Sequence, residues 1–510
     1  MSKYILAHDT GTSGNKATLF STDGEFIASE LYPYDAHYFN DVWVEEDADD
    51  WWKAVCVTSN NLIRNSRIDP KDIAVISFSG QMIGCLCVDK NGRPLRPSII
   101  WADQRSTDQV KAIKEKIDER DFYTISGHPI KASYAGLKLM WVRDNQPDIY
   151  KETYKTLNSK DYMVYKLTGR FCTDHSDAHS LTCYDMLGRC WSDKLVDVMG
   201  LDFDKLPEIV DSTTVVGEVT KEAAQETGLA QGTPVVMGSG DGPAGNVGAG
   251  SVAPGQAYVS LGTSSWIAVS TDKPIYDYER MSVVTWAHAV PGLYSPNGTM
   301  QYGGGSYNWL KENMCMWEKE LAKKEDCSPY DIINAEIETV GPGAGGLFFL
   351  PYLVGERSPW WDENARGCFI GIGASTTRAH MFRSVLEGVT FNLNNTLNIL
   401  RENVDIKQLT AIGGGAKGPV WQQIMADIFD TGIVVPSVIQ ESNSMGAAVI
   451  GGVGAGIFKD FNAINKFFRM DKTIEPNPEA VKLYKQYQPV FEECYLSLKD
   501  TFKHMATLPR

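Results

Sequence analysis

Asp241 stands in Gly238-Ser239-Gly240-Asp241-Gly242-Pro243, directly after the apolar run 234–237. A carboxylate at the end of a buried strand, flanked by residues without bulk, can reach a ligand hydroxyl and accept its proton. Asp is also a favoured helix N-cap, and residues 242–247 suit a helix start, so the local pattern leaves both roles open. A second group lies at the N-terminus, Asp9-Thr10-Gly11-Thr12-Ser13-Gly14 between two apolar runs. Its Gly and hydroxyl residues let backbone N–H groups approach phosphate oxygens closely. Asp9 at the strand end can hold Mg²⁺ through water and Lys16 can offset phosphate charge, whereas the plain alternative is a hairpin turn. A third group, Gly413-Gly414-Gly415-Ala416-Lys417-Gly418, satisfies G-x-G-x-x-G between the apolar run 409–412 and a helix-like segment 420–429. That pattern admits a dinucleotide fold. No acidic residue is clearly placed at the end of a following strand, and a Gly-opened helix start serves equally well for any nucleotide. A fourth group is Ser79-Gly80-Gln81-Met82 with Trp101-Ala102-Asp103-Gln104-Arg105. Both segments follow β-rich runs and offer amide, carboxylate and guanidinium groups to a polyol, or form a solvated salt bridge.

The elements that must position these groups divide the chain in two. Residues 4–23 (YILAHDTGTSGNKATLFSTD) and 258–272 (YVSLGTSSWIAVSTD) share an apolar strand, a G-T-S turn, a second apolar strand and T-D. The second copy is two residues tighter across its hairpin. The segment 238–255 is the richest in Gly and Pro and separates two regions of mixed α/β patterning. In the first, β-rich runs at 73–78 and 99–101 alternate with a helix-like stretch at 108–119. In the second, residues 378–401 set Phe382, Val385, Leu386, Val389, Leu393, Leu397 and Leu400 on one helical stripe. Residues 481–502 read as a closing amphipathic helix. Two α/β domains, 1–252 and 253–510, with a cleft between them are expected.

Composition narrows the function classes. The 510 residues carry 48 Lys and Arg against 64 Asp and Glu, a net charge of −16, with 43% hydrophobic residues. That is a globular composition, and no segment concentrates the basic residues that a nucleic-acid backbone demands. No leader or membrane span is evident and a cytoplasmic location is expected. The ten Cys contain no CxxC and read as reduced core thiols.

Taken together, the segments resemble the FGGY family of carbohydrate kinases over nearly the whole chain and in the family's order. DTGTSGNKA is similar to its first phosphate loop, SGQM and WADQR to its sugar-contact segments, and GDGPAGNVGAG to its catalytic-Asp region. LGTSS is similar to its second phosphate loop and PYLVGERSP to its Y-L-x-G-E-R-T-P; ARG, LEG and GGGAKGPVWQQIMAD complete the set. The resemblance implies two actin-like, ribonuclease-H-like domains with ATP, Mg²⁺ and a sugar in the cleft. It implies Asp241 as catalytic base and second metal contact beside Asp9, and sugar contacts from Gln81, Met82, Trp101, Asp103, Arg105 and Asp241. ATP contacts would come from Thr10, Gly11, Thr12, Ser13, Lys16, Gly262, Thr263, Ser264, Gly414, Gly415, Ala416 and Lys417. The S-G-Q-M and W-x-D-x-R pattern is most similar to xylulokinases, so a pentulose such as xylulose is the expected acceptor. Ribulose, glycerol, erythritol and a hexulose are the alternatives. Ile83, where xylulokinases carry His, and Gly242, often Asn or Gln, depart at sugar-contacting positions. The expected partners are the sugar and ATP, with no nucleic acid or membrane, and a homodimer is the possible assembly. The rivals are a nicotinamide-dependent dehydrogenase, resting on G-x-G-x-x-G, and an actin-like ATP-driven binding protein.

Overall fold

The computed structural model describes residues 3–437 and 441–509. Apolar runs rich in Val, Ile, Leu and Phe become central strands covered on both faces, as parallel pairing requires. The first seven-stranded sheet runs Val215–Glu218, Pro234–Val236, Ile73–Gly80, Tyr4–Gly11, Gly14–Ser21, Phe26–Pro33, with Ser239–Gly240 beside the end of Ile73–Gly80. The second runs Val284–Ala287, Tyr294–Met300, Ser265–Val269, Ala257–Leu261, Gln408–Ile412, Gly432–Pro436, Met470–Ile474.

The two sheets share one plan. In each, an antiparallel hairpin lies at the centre (Tyr4–Gly11 with Gly14–Ser21; Ala257–Leu261 with Ser265–Val269). In each, the first hairpin strand also pairs in parallel with a later strand, Ile73–Gly80 or Gln408–Ile412. The G-T-S echo therefore marks two equivalent hairpins, and the tighter spacing of the second copy reflects strands of five residues against eight. The chain folds as two actin-like, ribonuclease-H-like halves.

The helix Ala48–Ser66 covers one face of the first sheet, while the late helix Ser442–Gly454 packs on the other beside Asp241–Gly248. These two helices cross where Gly446 meets the carbonyl of Ala244 and Gly248 meets that of Ser442. A Cβ at either glycine would overlap that carbonyl, so the contact depends on glycine. Arg378–Arg401 is one continuous helix in the core of the second half, and Pro478–Ala506 closes the chain. The stretch expected as one helix over 108–119 is two, Thr107–Lys114 and Glu119–Ser126. Asp118 caps the second by accepting from the Arg120 and Asp121 N–H groups, and a helix start there ends the one before it. All ten Cys are free. Cys190 and Cys327 are exposed, so those two are not core thiols. Among the described residues no helix is long and apolar enough to cross a membrane.

Candidate active site

Asp241 is the first residue of the helix Asp241–Gly248, with Gly240 at the cap position. It is therefore not the N-cap, and its carboxylate is bonded by the N–H of Gly242 at 2.7 Å. It opens into a cavity of about 240 Å³ between the two halves. Met82, Ile83 and Trp101 line it from the first half, and Trp266, Trp286, Asn297 and Arg357 from the second. Thr12 of the first hairpin turn and Ser264 of the second also reach it. Burial pushes the Asp241 pKa from its ordinary value up to about 7, and the Asp9 charge adds to the rise. Asp9, at the end of Tyr4–Gly11, is likewise raised by burial, against hydrogen bonds from Ser79 and Asn443 and the charge of Lys16. Two buried carboxylates, one raised further by the charge of the other, make a setting that a divalent cation relieves.

The rest of the first hairpin is braced from below. Trp101 Nε1 donates to Thr12 Oγ1 at 2.8 Å, fixing the indole against the turn. Lys16 pairs with Glu441 at 2.6 Å, joining the first sheet to the residue before Ser442–Gly454. Gly11, Thr12 and Ser13 keep some exposure at the turn, as do Gly262, Thr263 and Ser264 at the second.

A separate cavity of about 530 Å³ is lined by Gly304, Tyr307, Tyr330, Asn334, Gly414, Gly415, Lys417 and Trp421 among others. Gly413 has φ 86 and sits so close to the second hairpin that a Cβ would lie 2.8 Å from the carbonyl of Leu261. Gly304 abuts the carbonyl of Gly262, and the Gly305 N–H donates to Thr263 O at 3.1 Å. The glycines at 303–305 thus tie this cavity to the second hairpin, whose Ser264 lines the small cavity together with Asp241. Two cavities with a hairpin turn reaching toward each and a carboxylate in the smaller suit phosphoryl transfer between a nucleotide and an acceptor.

Five residues expected at ligands lie behind the walls. Asp103 and Arg105 side chains are 0% and 1% exposed and pair with each other at 2.7 Å. Asp103 also accepts from Val44 N, and Arg105 reaches Glu45 and covers the Trp43 ring at 4.0 Å. The hydrogen bonds of both side chains go to the protein, so the pair fixes the loop that carries Trp101. Gln81 is buried, with Nε2 donating to Glu46 at 2.6 Å, and braces the first hairpin through Gly11 O. Thr10 is fully buried, its hydroxyl turned to Asn15 and its carbonyl accepting from Gln81 N. Ala416 is fully buried, its carbonyl accepting from Gln422 Nε2.

The second half's contribution to the small cavity was not read from the sequence. Trp266 and Ala268, and Ser295, Asn297 and Thr299, recur at every second position of their strands and so share one face. That alternation is visible in the sequence, but which face meets a cavity depends on how the halves pack. Arg357 lay within the PYLVGERSP match without an assigned role.

Residues 4–248 match the N-terminal domain, and residues 257–455 the C-terminal domain, of the FGGY family of carbohydrate kinases. The chain belongs to this family. A gluconokinase of Bacillus licheniformis is 32% identical over 100% of this chain and 99% of its own. A xylulose kinase of Staphylococcus epidermidis is 33% identical over 99% of both chains. The ligand-bound crystal structure of xylulose kinase from Lactobacillus acidophilus superposes with a TM-score of 0.91 at 28% identity, covering 99% of this chain and 100% of that one. The protein is a carbohydrate kinase of the FGGY family; the dehydrogenase and binding-protein readings fall with that membership.

Proposed function

We propose that this FGGY kinase transfers the γ-phosphoryl group of ATP to a hydroxyl of a five- or six-carbon sugar, a pentulose such as xylulose first, with Asp241 as the base. The observation that carries this is the shared cavity of Asp241, Thr12 and Ser264: a proton acceptor and the turns of both hairpins face one small space. At about 240 Å³ the cavity falls below the roughly 300–1,000 Å³ that holds drug-sized ligands, which suits a small sugar.

The acceptor hydroxyl lies far above neutrality in pKa and loses its proton as it attacks; Asp241 Oδ receives it. The Trp101, Trp266 and Trp286 rings cover the C–H edges of the sugar, and Asn246 and Asn297 offer amides to its hydroxyls. The exposed turn at Gly11, Thr12 and Ser13 and that at Gly262, Thr263 and Ser264 present backbone N–H groups to phosphate oxygens. Adenosine rests in the larger cavity against Gly414, Gly415 and Lys417. Asp9 and Asp241 fit a Mg²⁺ ion that arrives with ATP, Asp9 through water. When bound it would neutralise phosphate charge in a loose transition state dominated by alignment. Closing of the two halves over the bound sugar would keep water from replacing it as acceptor.

One observation favours a second acceptor, an aldonate such as gluconate. Arg357 lines the same cavity, and among the described residues no carboxylate forms a salt bridge with it. The neighbouring Glu356 is turned away, accepting from the N–H groups of Gln301 and Arg357 and from Asn392. A guanidinium that stands over the Trp101 ring at 5.9 Å but pairs with no carboxylate can take one from the substrate. A coupled ADP-release assay with xylulose, ribulose and gluconate on wild type and Arg357→Met decides. Selective loss of gluconate turnover in Arg357→Met supports the aldonate. ATP turnover with none of these acceptors refutes the proposal.

A further inference from the structure

Lys138, in the helix Ala135–Asn145, is completely buried, yet among the described residues it has no carboxylate in salt-bridge contact. Its Nζ donates to the carbonyls of Ile83 at 2.9 Å and Ile100 at 2.7 Å. Those carbonyls belong to two separate loops, one following the strand Ile73–Gly80 and the other following Ser98–Ile99. Each loop brings a side chain to the small cavity, Ile83 itself and Trp101, the neighbour of Ile100. Burial pushes the Lys138 pKa down to about 7.

Ile83 is strained where this clamp grips it. Its φ is 67, a left-handed conformation that a β-branched side chain rarely adopts. Its N–H is held on the other side by Ser180 Oγ at 3.1 Å. A buried ammonium with only carbonyl partners and a left-handed isoleucine are both costly. Both costs fall on one stretch of cavity wall. Strain held by its surroundings in this way points to a shape that the site requires.

We propose that Lys138 is a positioning residue for the acceptor. It ties the Ile83 and Ile100 carbonyls together and so fixes the Ile83 side chain and the Trp101 ring at one separation across the sugar cavity. The inference rests on reading that cavity as the acceptor site. Lys138 touches neither sugar nor ATP, so its loss should act on acceptor binding and leave the nucleotide side alone.

The test is steady-state kinetics on Lys138→Met, Ile83→Gly, the double variant and Ser180→Ala, with the acceptor on which the wild type is most active. With the Ile83 and Ile100 carbonyls released, Lys138→Met should raise the acceptor KM about 10-fold. The ATP KM should stay within about twofold. Glycine takes the left-handed conformation without strain, so Lys138→Met should cost less in the Ile83→Gly background than in wild type. Should Lys138→Met fail to fold, Ser180→Ala loosens the same peptide without touching the buried charge and should raise the acceptor KM about threefold. An unchanged acceptor KM in the folded variant, or equal rises in both KM values, overturns the role of Lys138 alone. A wild type that phosphorylates no sugar overturns the reading of the cavity and this inference with it.

Discussion

Replacing Asp241 by Asn should stabilise the free protein at alkaline pH while leaving it unchanged below about pH 4. The Asp241 pKa is raised from 3.8 to about 7 by burial and by the Asp9 charge. A carboxyl whose folded pKa lies above its unfolded one favours folding while protonated. The contribution is fully present below about pH 4 and is lost as pH rises through about 7. A rise from 3.8 to about 7 corresponds to a ceiling of about 4 kcal/mol. The side chain is half-buried, and solvent screening reduces the expected effect to about 1–2 kcal/mol. Asn keeps the shape without the charge, so it escapes the cost. For halves of this size that corresponds to a melting temperature higher by about 2–8 °C at pH 8 and by roughly a third of that at pH 5, where the unfolded carboxyl is already ionised. Calorimetric melts of wild type and Asp241→Asn at both pH values, without nucleotide or metal, read the difference directly. A gap equal at the two pH values, or an Asn variant less stable at pH 8, refutes the argument that Asp241 is held against its own charge.

Further outcomes separate the walls of the site from its contacts. Asp103→Ala leaves the buried Arg105 with Glu45 as its one remaining carboxylate and should destabilise the protein by about 1.5–3 kcal/mol; a variant with unaltered melting and a raised sugar KM would instead return Asp103 to the pocket. Gly304→Ala places a methyl group against the Gly262 carbonyl and should displace the second hairpin. Its ATP KM should rise about 10-fold while acceptor binding, followed by tryptophan fluorescence, stays close to wild type; an unchanged ATP KM contradicts the placement of phosphate at that turn.

The fold was legible because its repeats are written in short-range pattern. The G-T-S hairpins, the apolar strands at 73–80 and 408–412 and the 378–401 stripe each announce themselves within twenty-odd residues. Asp241 was legible because the residues around it have no bulk to hide it. That Asp103 and Arg105 are buried and paired with each other was not legible, because a D-x-R beside a tryptophan carries no record of which side of the loop faces inward. The partners that absorb them, Trp43, Val44 and Glu45, lie some sixty residues earlier. Trp266, Trp286, Asn297 and Arg357 reach the cavity only because the two halves meet face to face, and no local pattern encodes that meeting. Lys138 was hidden for a similar reason: its partners are backbone carbonyls, which have no signature in the sequence.

The central claim is that Asp241 takes the acceptor's proton during phosphoryl transfer. It is tested most directly by rapid-quench turnover of Asp241→Asn at saturating ATP·Mg²⁺ and sugar, with ATP affinity measured by calorimetry on the same preparation. With Asp241 as the base, Asp241→Asn should lower kcat by about 10²–10⁴ with the ATP Kd little changed. Turnover close to wild type in a folded, ATP-binding Asn variant would contradict it.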